Sequence, residues 1–121
     1  MSTAIQTLSF QDPLSAKKFT ESLQHTGFAI ITHCPIDPQL LDRVYHNWAL
    51  FFNSDEKHQY PFDPLTADGF ASTAVSETAK GFQEKDLKEF YHILREGRCP
   101  EHLKDDTFAL IDALLPISQT L

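Results

Sequence analysis

A chain of 121 residues, 41% apolar, 12% aromatic and 22% charged, is one domain in size with enough apolar surface for a core, which excludes global disorder. Ten Lys and Arg against seventeen Asp and Glu give a net charge of −7, which argues against nucleic acid or an anionic membrane as a partner. No apolar run approaches the ~20 residues of a membrane span, the first ten residues do not resemble a signal peptide, and two cysteines are too few for a disulfide scaffold, so a soluble domain of the reduced cytoplasm is expected.

Residues 5–10 alternate apolar and polar side chains (Ile5, Leu8 and Phe10 against Gln6, Thr7 and Ser9) and predict a short edge strand. Asp12-Pro13 then carries the chemistry of a helix start, with Asp as N-cap and Pro at the first helical position. Ala16, Phe19 and Leu23 form its apolar stripe and Gly27 its left-handed stop. The run Phe28, Ala29, Ile30, Ile31 predicts a strand covered on both faces. Asp37-Pro38 repeats the helix-opening signal, and Leu40, Leu41, Val44, Trp48, Phe51 and Phe52 recur at helical spacing behind it.

Ser54, Asp55, Glu56 and Lys57 read as a second cap followed by one or two turns, with two acids suited to a helix N-terminus. Residues 60–80 lack periodicity and predict an irregular functional loop. From Asp86 a strand is expected, with Leu87, Glu89, Tyr91 and Ile93 on one face, Lys88, Phe90, His92 and Leu94 on the other, and both faces mostly covered. Residues 97–105 read as a connection. Phe108, Ile111, Leu114 and Leu115 then start an amphipathic helix that Pro116 should kink or divide. Ile117 and Leu121 continue its apolar stripe, with nothing after them in the sequence to cover it.

The residues that carry chemistry are sparse. A facial iron triad uses two His and one carboxylate, commonly entered through His-x-Asp or His-x-Glu. The residues two places after the six histidines are Gly27, Pro35, Trp48, Tyr60, Leu94 and Lys104, none of them acidic. No His-Glu-x-x-His helix, phosphate loop, Gly-x-Ser-x-Gly elbow or dinucleotide fingerprint occurs. Cys99 and His102 have a two-residue gap and could make zinc ligands with His33 and Cys34, but neighbours on a strand point to opposite faces. The acid pairs Asp55-Glu56 and Asp105-Asp106 fit helix starts better than general acid–base catalysis. Trp48, Phe51 and Phe52 fit a core, and His92 a packed histidine.

In order along the chain, however, several segments resemble one family. Gly27-Phe28-Ala29-Ile30-Ile31-Thr32-His33 resembles the G-F-x-x-[IV]-x-[NH]-H strand of the isopenicillin N synthase-like family, the non-haem iron(II) and 2-oxoglutarate-dependent oxygenases. Phe51-Phe52 followed by Asp55-Glu56-Lys57 is similar to that family's fF-x-L-p-x-e-e-K signature, and Gly69-Phe70 stands where the family has Gly-Tyr. Glu77-Thr78-Ala79-Lys80-Gly81, then Asp86-Leu87-Lys88-Glu89-Phe90-Tyr91-His92, is similar to the E-x-A-K-G and D-x-K-E-[FY]-[FWY] segments of its bacterial branch.

The resemblance implies an α+β fold whose short strands and amphipathic helices flank a double-stranded β-helix, or jelly roll, with that barrel missing from this chain. Residues 1–105 would be the non-haem dioxygenase N-terminal domain and 106–121 the start of the helix linking to the barrel. In the family the iron ligands and the 2-oxoglutarate clasp lie on the barrel, so no catalytic, cofactor-binding or metal-binding residue carries over. Phe70 alone carries over, as a substrate-mouth residue offering shape and apolar contact without a hydroxyl. Lys88 and Glu89 match the family's Lys-Glu as scaffold.

The implied function is that of a scaffold and substrate-mouth domain of an oxygenase, not competent alone, with iron(II) and possibly 2-oxoglutarate belonging to a complete relative. The expected partner is a catalytic barrel, covalently joined or separately encoded. The alternative is an interaction module that self-associates through the exposed C-terminal helix.

Overall fold

The structure is a computed structural model that describes residues 4–72 and 88–121. The chain is α+β. Its elements are β1 (Thr7–Ser9), α1 (Ser15–Thr26), β2 (Ile30–Thr32), α2 (Pro38–Phe52), a 3-10 turn (Asp55–Gln59), β3 (Gly69–Ala71), β4 (Phe90–His92) and α3 (Glu101–Thr120). Two compact units divide it: Met1–Leu41 with Ala109–Leu121, and Asp42–Phe108.

In the first unit β1 and β2 pair in parallel, Leu8 opposite Ile31, and α1 makes the crossover that a parallel pair requires. Leu8 is buried. Helix α1 begins later than Asp12-Pro13 predicts. The Asp12 carboxylate accepts the Leu14 amide at 2.8 Å and the Lys18 ammonium at 2.6 Å, so it closes a turn ahead of the helix rather than capping it. The Leu23 carbonyl accepts the amide of Gly27, whose φ of 79° provides the expected left-handed stop.

The buried face of α1 also differs from its apolar stripe. Ser15 and Ser22 are buried, whereas Leu23 is exposed. The Ser22 hydroxyl accepts the Gln6 amide at 3.0 Å and donates to the Phe28 carbonyl at 2.6 Å. A small hydroxyl thus ties the helix to the chain entering β1 and the chain entering β2, which a Leu could not do.

Strand β2 is not covered on both faces: Phe28 is 67% and Ile30 52% exposed. Among the described residues the sheet has two strands, and consecutive apolar residues on such a ribbon must point to opposite sides, which leaves these side chains exposed. The C-terminal part of α3 buries Ile117 but exposes Ile111, Leu114 and Leu115. These line an open apolar groove of about 630 Å³ with Phe19, Ile31 and Leu121.

Helix α2, which begins in the first unit and belongs to the second from Asp42, follows its sequence signals. The Asp37 carboxylate accepts the Gln39 amide at 2.9 Å with Pro38 as the first helical residue, which is the predicted cap. The helix carries Phe51, 1% exposed, into a cluster of rings. Trp48 meets Phe51 edge-on at 5.2 Å, and Tyr91 lies 5.2 Å from Trp48 and 5.7 Å from Phe51. The Trp48 indole donates to the Thr107 hydroxyl at 2.9 Å, and that hydroxyl donates to the Leu103 carbonyl at 2.6 Å.

Ser54 does not cap the turn that follows. Its hydroxyl donates back to the Phe51 carbonyl at 2.8 Å and so finishes α2 instead. The turn itself, with Asp55 and Glu56 at its start, is as predicted.

Helix α3 begins at Glu101, so residues 101–105 are helical rather than a connection. Its buried stripe starts with Leu103 and continues to Thr107 four residues on, a pattern half hidden because Thr is not apolar. Asp105 and Asp106 consequently lie within the helix, and Asp106 accepts both Nε and a terminal nitrogen of Arg43, at 3.1 and 3.3 Å. Pro116 does not divide the helix, which runs on to Thr120. Burial of Ile117 one residue later keeps the last turn attached despite one lost backbone bond, and the Ser118 and Thr120 hydroxyls donate to the Leu115 and Pro116 carbonyls there.

Candidate functional site: the Phe70 cleft

Residues 60–72 are less irregular than their sequence. The chain passes Tyr60 and Pro61, turns at residues 63–68, and returns as β3 beside its own outgoing segment. The Phe70 amide donates to the Tyr60 carbonyl at 2.6 Å and the Phe70 carbonyl accepts the Phe62 amide at 2.9 Å. On its other edge β3 pairs antiparallel with β4, Phe70 opposite Tyr91. Phe70 is therefore held by backbone bonds along both edges of a very short strand. Residues 73–87 lie outside the described residues, and with them the Glu77 to Gly81 segment and the Asp86-Leu87 start of the expected strand.

Two neighbours make that tight return possible. Gly69 has a φ of 109°, and a Cβ there would lie 2.7 Å from the Pro61 carbonyl oxygen and 2.8 Å from that of Tyr60. Only glycine permits both the conformation and the approach. Asp68, 2% exposed, is the anchor before it. Its Oδ1 accepts Arg98 Nε at 3.1 Å, Arg98 Nη2 at 2.9 Å and the Thr66 hydroxyl at 2.7 Å, and its Oδ2 accepts the Arg98 amide at 2.7 Å.

The Arg98 side chain, the Arg98 amide and the Thr66 hydroxyl together hold the Asp68 carboxyl well below the usual carboxylate range. In the same arrangement Arg98 also donates to the Pro61 carbonyl at 2.7 Å. Neither Asp68 nor Arg98 stood out in the sequence. The available signal was only an Asp-Gly pair, which marks a turn.

Phe70 is 4% exposed. Its ring lies 6.1 Å from Phe52 and meets His58 edge-on at 5.8 Å. With His58, Pro61, Phe62 and Ser72 it lines a cleft of about 180 Å³. His92, paired across from Gly69, packs its ring against Phe62 at 5.3 Å and Phe90 at 4.9 Å. The strand faces alternate as expected, with Tyr91 on the ring cluster and Phe90 and His92 opposite. His92 and Leu94 are exposed, however, so coverage is less complete than predicted. Burial, with weaker contributions from Cys99 and Asp68, pushes the Tyr91 phenol up to about 12, and its hydroxyl donates to the Arg98 carbonyl at 2.7 Å.

The other candidate ligands are engaged elsewhere. His102 Nε2 lies 2.7 Å from Glu56 Oε1, and His33 Nδ1 lies 3.0 Å from the Ser9 hydroxyl. Cys34 and Cys99 are free thiols, and burial pushes that of Cys99 up. Among the described residues no group of three or more His, Cys, Asp or Glu is placed to hold a metal. The zinc arrangement is thus not assembled there, and these residues do not fit an iron(II) triad either. Among them, no helix is long and apolar enough to cross a membrane.

Comparison with known proteins supplies the context for this architecture. Residues 4–110 match the family described as "non-haem dioxygenase in morphine synthesis N-terminal". Jasmonate-induced oxygenase 2 of Arabidopsis thaliana is 28% identical over 96 residues, covering 78% of this chain and 24% of the relative. A crystal structure named "Putative oxygenase" from Shewanella oneidensis is 35% identical, with a TM-score of 0.78 over 94% of this chain and 39% of its own. The chain thus spans about a quarter of the curated relative and two-fifths of the solved one. With its family match running through both strand pairs and into α3, the chain belongs to the non-haem dioxygenase N-terminal family.

Proposed function

We propose that this chain is the scaffold and substrate-mouth domain of a non-haem iron(II)-dependent oxygenase of the cytoplasm. The oxidation of a small molecule, 2-oxoglutarate-dependent or of the isopenicillin N synthase type, belongs to a jelly-roll barrel outside these 121 residues, covalently joined or separately encoded. The observation that carries this reading is the family match over residues 4–110 in relatives much longer than the chain.

In this reading Phe70 supplies an apolar wall at the mouth. The backbone that carries the ring is fixed, because its strand is bonded on both edges, and the ring offers shape without a hydrogen bond. The chemistry that iron(II) and O₂ provide requires a set of ligands that the described residues do not assemble.

Anaerobic calorimetric titration of the 121-residue chain with iron(II) tests the first half of the reading. No one-equivalent binding is expected, and no succinate from 2-oxoglutarate in air. Stoichiometric iron with turnover by the chain alone would overturn it. The second half is tested in the source cell, where an antibody to residues 4–72 should detect the chain's sequence in a polypeptide far above 13.8 kDa, or in a stable complex with a barrel. In that enzyme Phe70→Ala should raise KM for the organic substrate more than it lowers kcat.

A further inference from the structure

We propose that Lys57 is the positioning residue of the Phe70 cleft. Its ammonium donates to the Phe52 carbonyl at 2.9 Å and to both oxygens of Glu89 at 3.1 and 3.2 Å, and it lies 5.3 Å from the centroid of the Phe70 ring. An ammonium within about 6 Å of a ring centroid is attracted to the ring face, more strongly where water is excluded. The Lys57 side chain is 17% exposed and that of Glu89 34%, so the charge is shielded but not isolated.

One cation therefore touches three parts of the unit: the end of α2, the residue before β4, and the side chain of β3 that forms the cleft. Two sequence signatures that lie 32 residues apart, the Asp-Glu-Lys after α2 and the Lys-Glu before β4, meet at this contact. Lys57 alone among the described residues joins the Glu89 carboxylate to the Phe70 ring. Surface lysines rarely sacrifice that much side-chain freedom for a single exposed pair. Here three partners share the cost, and the ring gains a fixed tilt between Phe52 and His58, its neighbours at 6.1 and 5.8 Å. The inference rests on Phe70 being the mouth residue only for its functional meaning; the positioning itself can be measured without substrate.

The test is ring-to-ring cross-relaxation by nuclear magnetic resonance in the 121-residue chain. The wild type should show Phe70–His58 contacts, and Lys57→Met should lose them while the Trp48–Phe51 contacts persist. Lys57→Arg, which keeps a cation over the ring, should restore them. Retention of Phe70–His58 contacts in Lys57→Met would overturn the proposal. Equal loss in the Met and Arg variants would overturn it too, since the effect would then follow side-chain shape rather than charge. If Lys57→Met also loses the Trp48–Phe51 contacts, Glu89→Gln decides. Selective loss at Phe70 supports positioning, and retention refutes it. Failure of the Phe70→Ala substitution to affect KM would count against the mouth reading alone and leave this measurement intact.

Discussion

Two glycines of this chain share a left-handed backbone and differ in what surrounds them, which allows the conformational and steric costs of a side chain to be separated. Gly27 has φ 79° with nothing within 4 Å of an added Cβ. Gly69 has φ 109° with three atoms at 2.7–2.8 Å, two of them backbone carbonyl oxygens. Gly27→Ala should therefore cost only the backbone term, about 1–2 kcal/mol. Gly69→Ala adds overpacking, roughly 1–3 kcal/mol beyond a backbone term of similar size, because its neighbours cannot yield cheaply. The Tyr60 carbonyl is bonded to the Phe70 amide at 2.6 Å and the Pro61 carbonyl to Arg98 at 2.7 Å.

Urea unfolding is the assay, with far-UV circular dichroism for both variants. Fluorescence of Trp48, the sole tryptophan, follows the unit that holds Gly69. With a slope of about 1–3 kcal/mol per molar urea, the Gly69→Ala midpoint should fall by roughly 1 M more than that of Gly27→Ala. A Gly69→Ala variant no less stable than Gly27→Ala would refute the reasoning, since it would mean that β3 does not lie against the Tyr60-Pro61 backbone as described.

Three further outcomes are expected. Because the folded-state pKa of Asp68 is lowered by its bonds to Arg98 and Thr66, its contribution to stability is complete above the ordinary value of 3.8 and is lost as pH falls below it. Acid unfolding curves should therefore be shallower in Asp68→Asn, and unchanged steepness would count against the clamp. Tyr91, raised from 10.0 to about 12 chiefly by burial, stabilises the fold fully below pH 10 and loses that contribution between pH 10 and 12. Tyr91→Phe should remove the late phase of an absorbance titration of phenolate. Finally, Leu114 and Leu115 are 44% and 53% exposed, so changing both to Gln should leave the unfolding midpoint within about 0.5 kcal/mol per site. It should also reduce any self-association seen by sedimentation, and loss of cooperative unfolding would show that this face is core.

What was legible in the sequence is local chemistry whose partner lies within a turn or two. Asp37-Pro38 worked because an N-cap needs only its own helix, and Gly27 worked because a left-handed stop needs only its own backbone. Asp12-Pro13 carries the same two letters, and Asp12 accepts the amide two residues on as Asp37 does, yet its other oxygen takes Lys18 and the helix begins only at Ser15. The added partner lies six positions away, and a capping rule does not weigh it. Ser22 and Leu23 show the same limit on a helix face. Hydrophobicity chose Leu23, while the fold needed a small donor and acceptor that could reach Gln6 and Phe28.

The cleft marks the stronger limit, because each of its fastenings spans a long sequence separation. Arg98 reaches back 30 residues to Asp68 and 37 to Pro61, and Glu89 reaches 32 to Lys57. None of these residues has a neighbour in sequence that would reveal its partner. Resemblance to a family could point to Phe70 because the motif places a residue, but the motif is silent on what orients it. The geometry shows a division of work within one short strand. Asp68 fixes where the strand begins, Gly69 lets it lie against its own outgoing chain, and Lys57 meets the ring that follows. A substitution at any of the three should therefore disturb the Phe70 ring before it disturbs the Trp48–Phe51 pair, which shares Phe52 and Tyr91 with the cleft but is also fastened through Thr107.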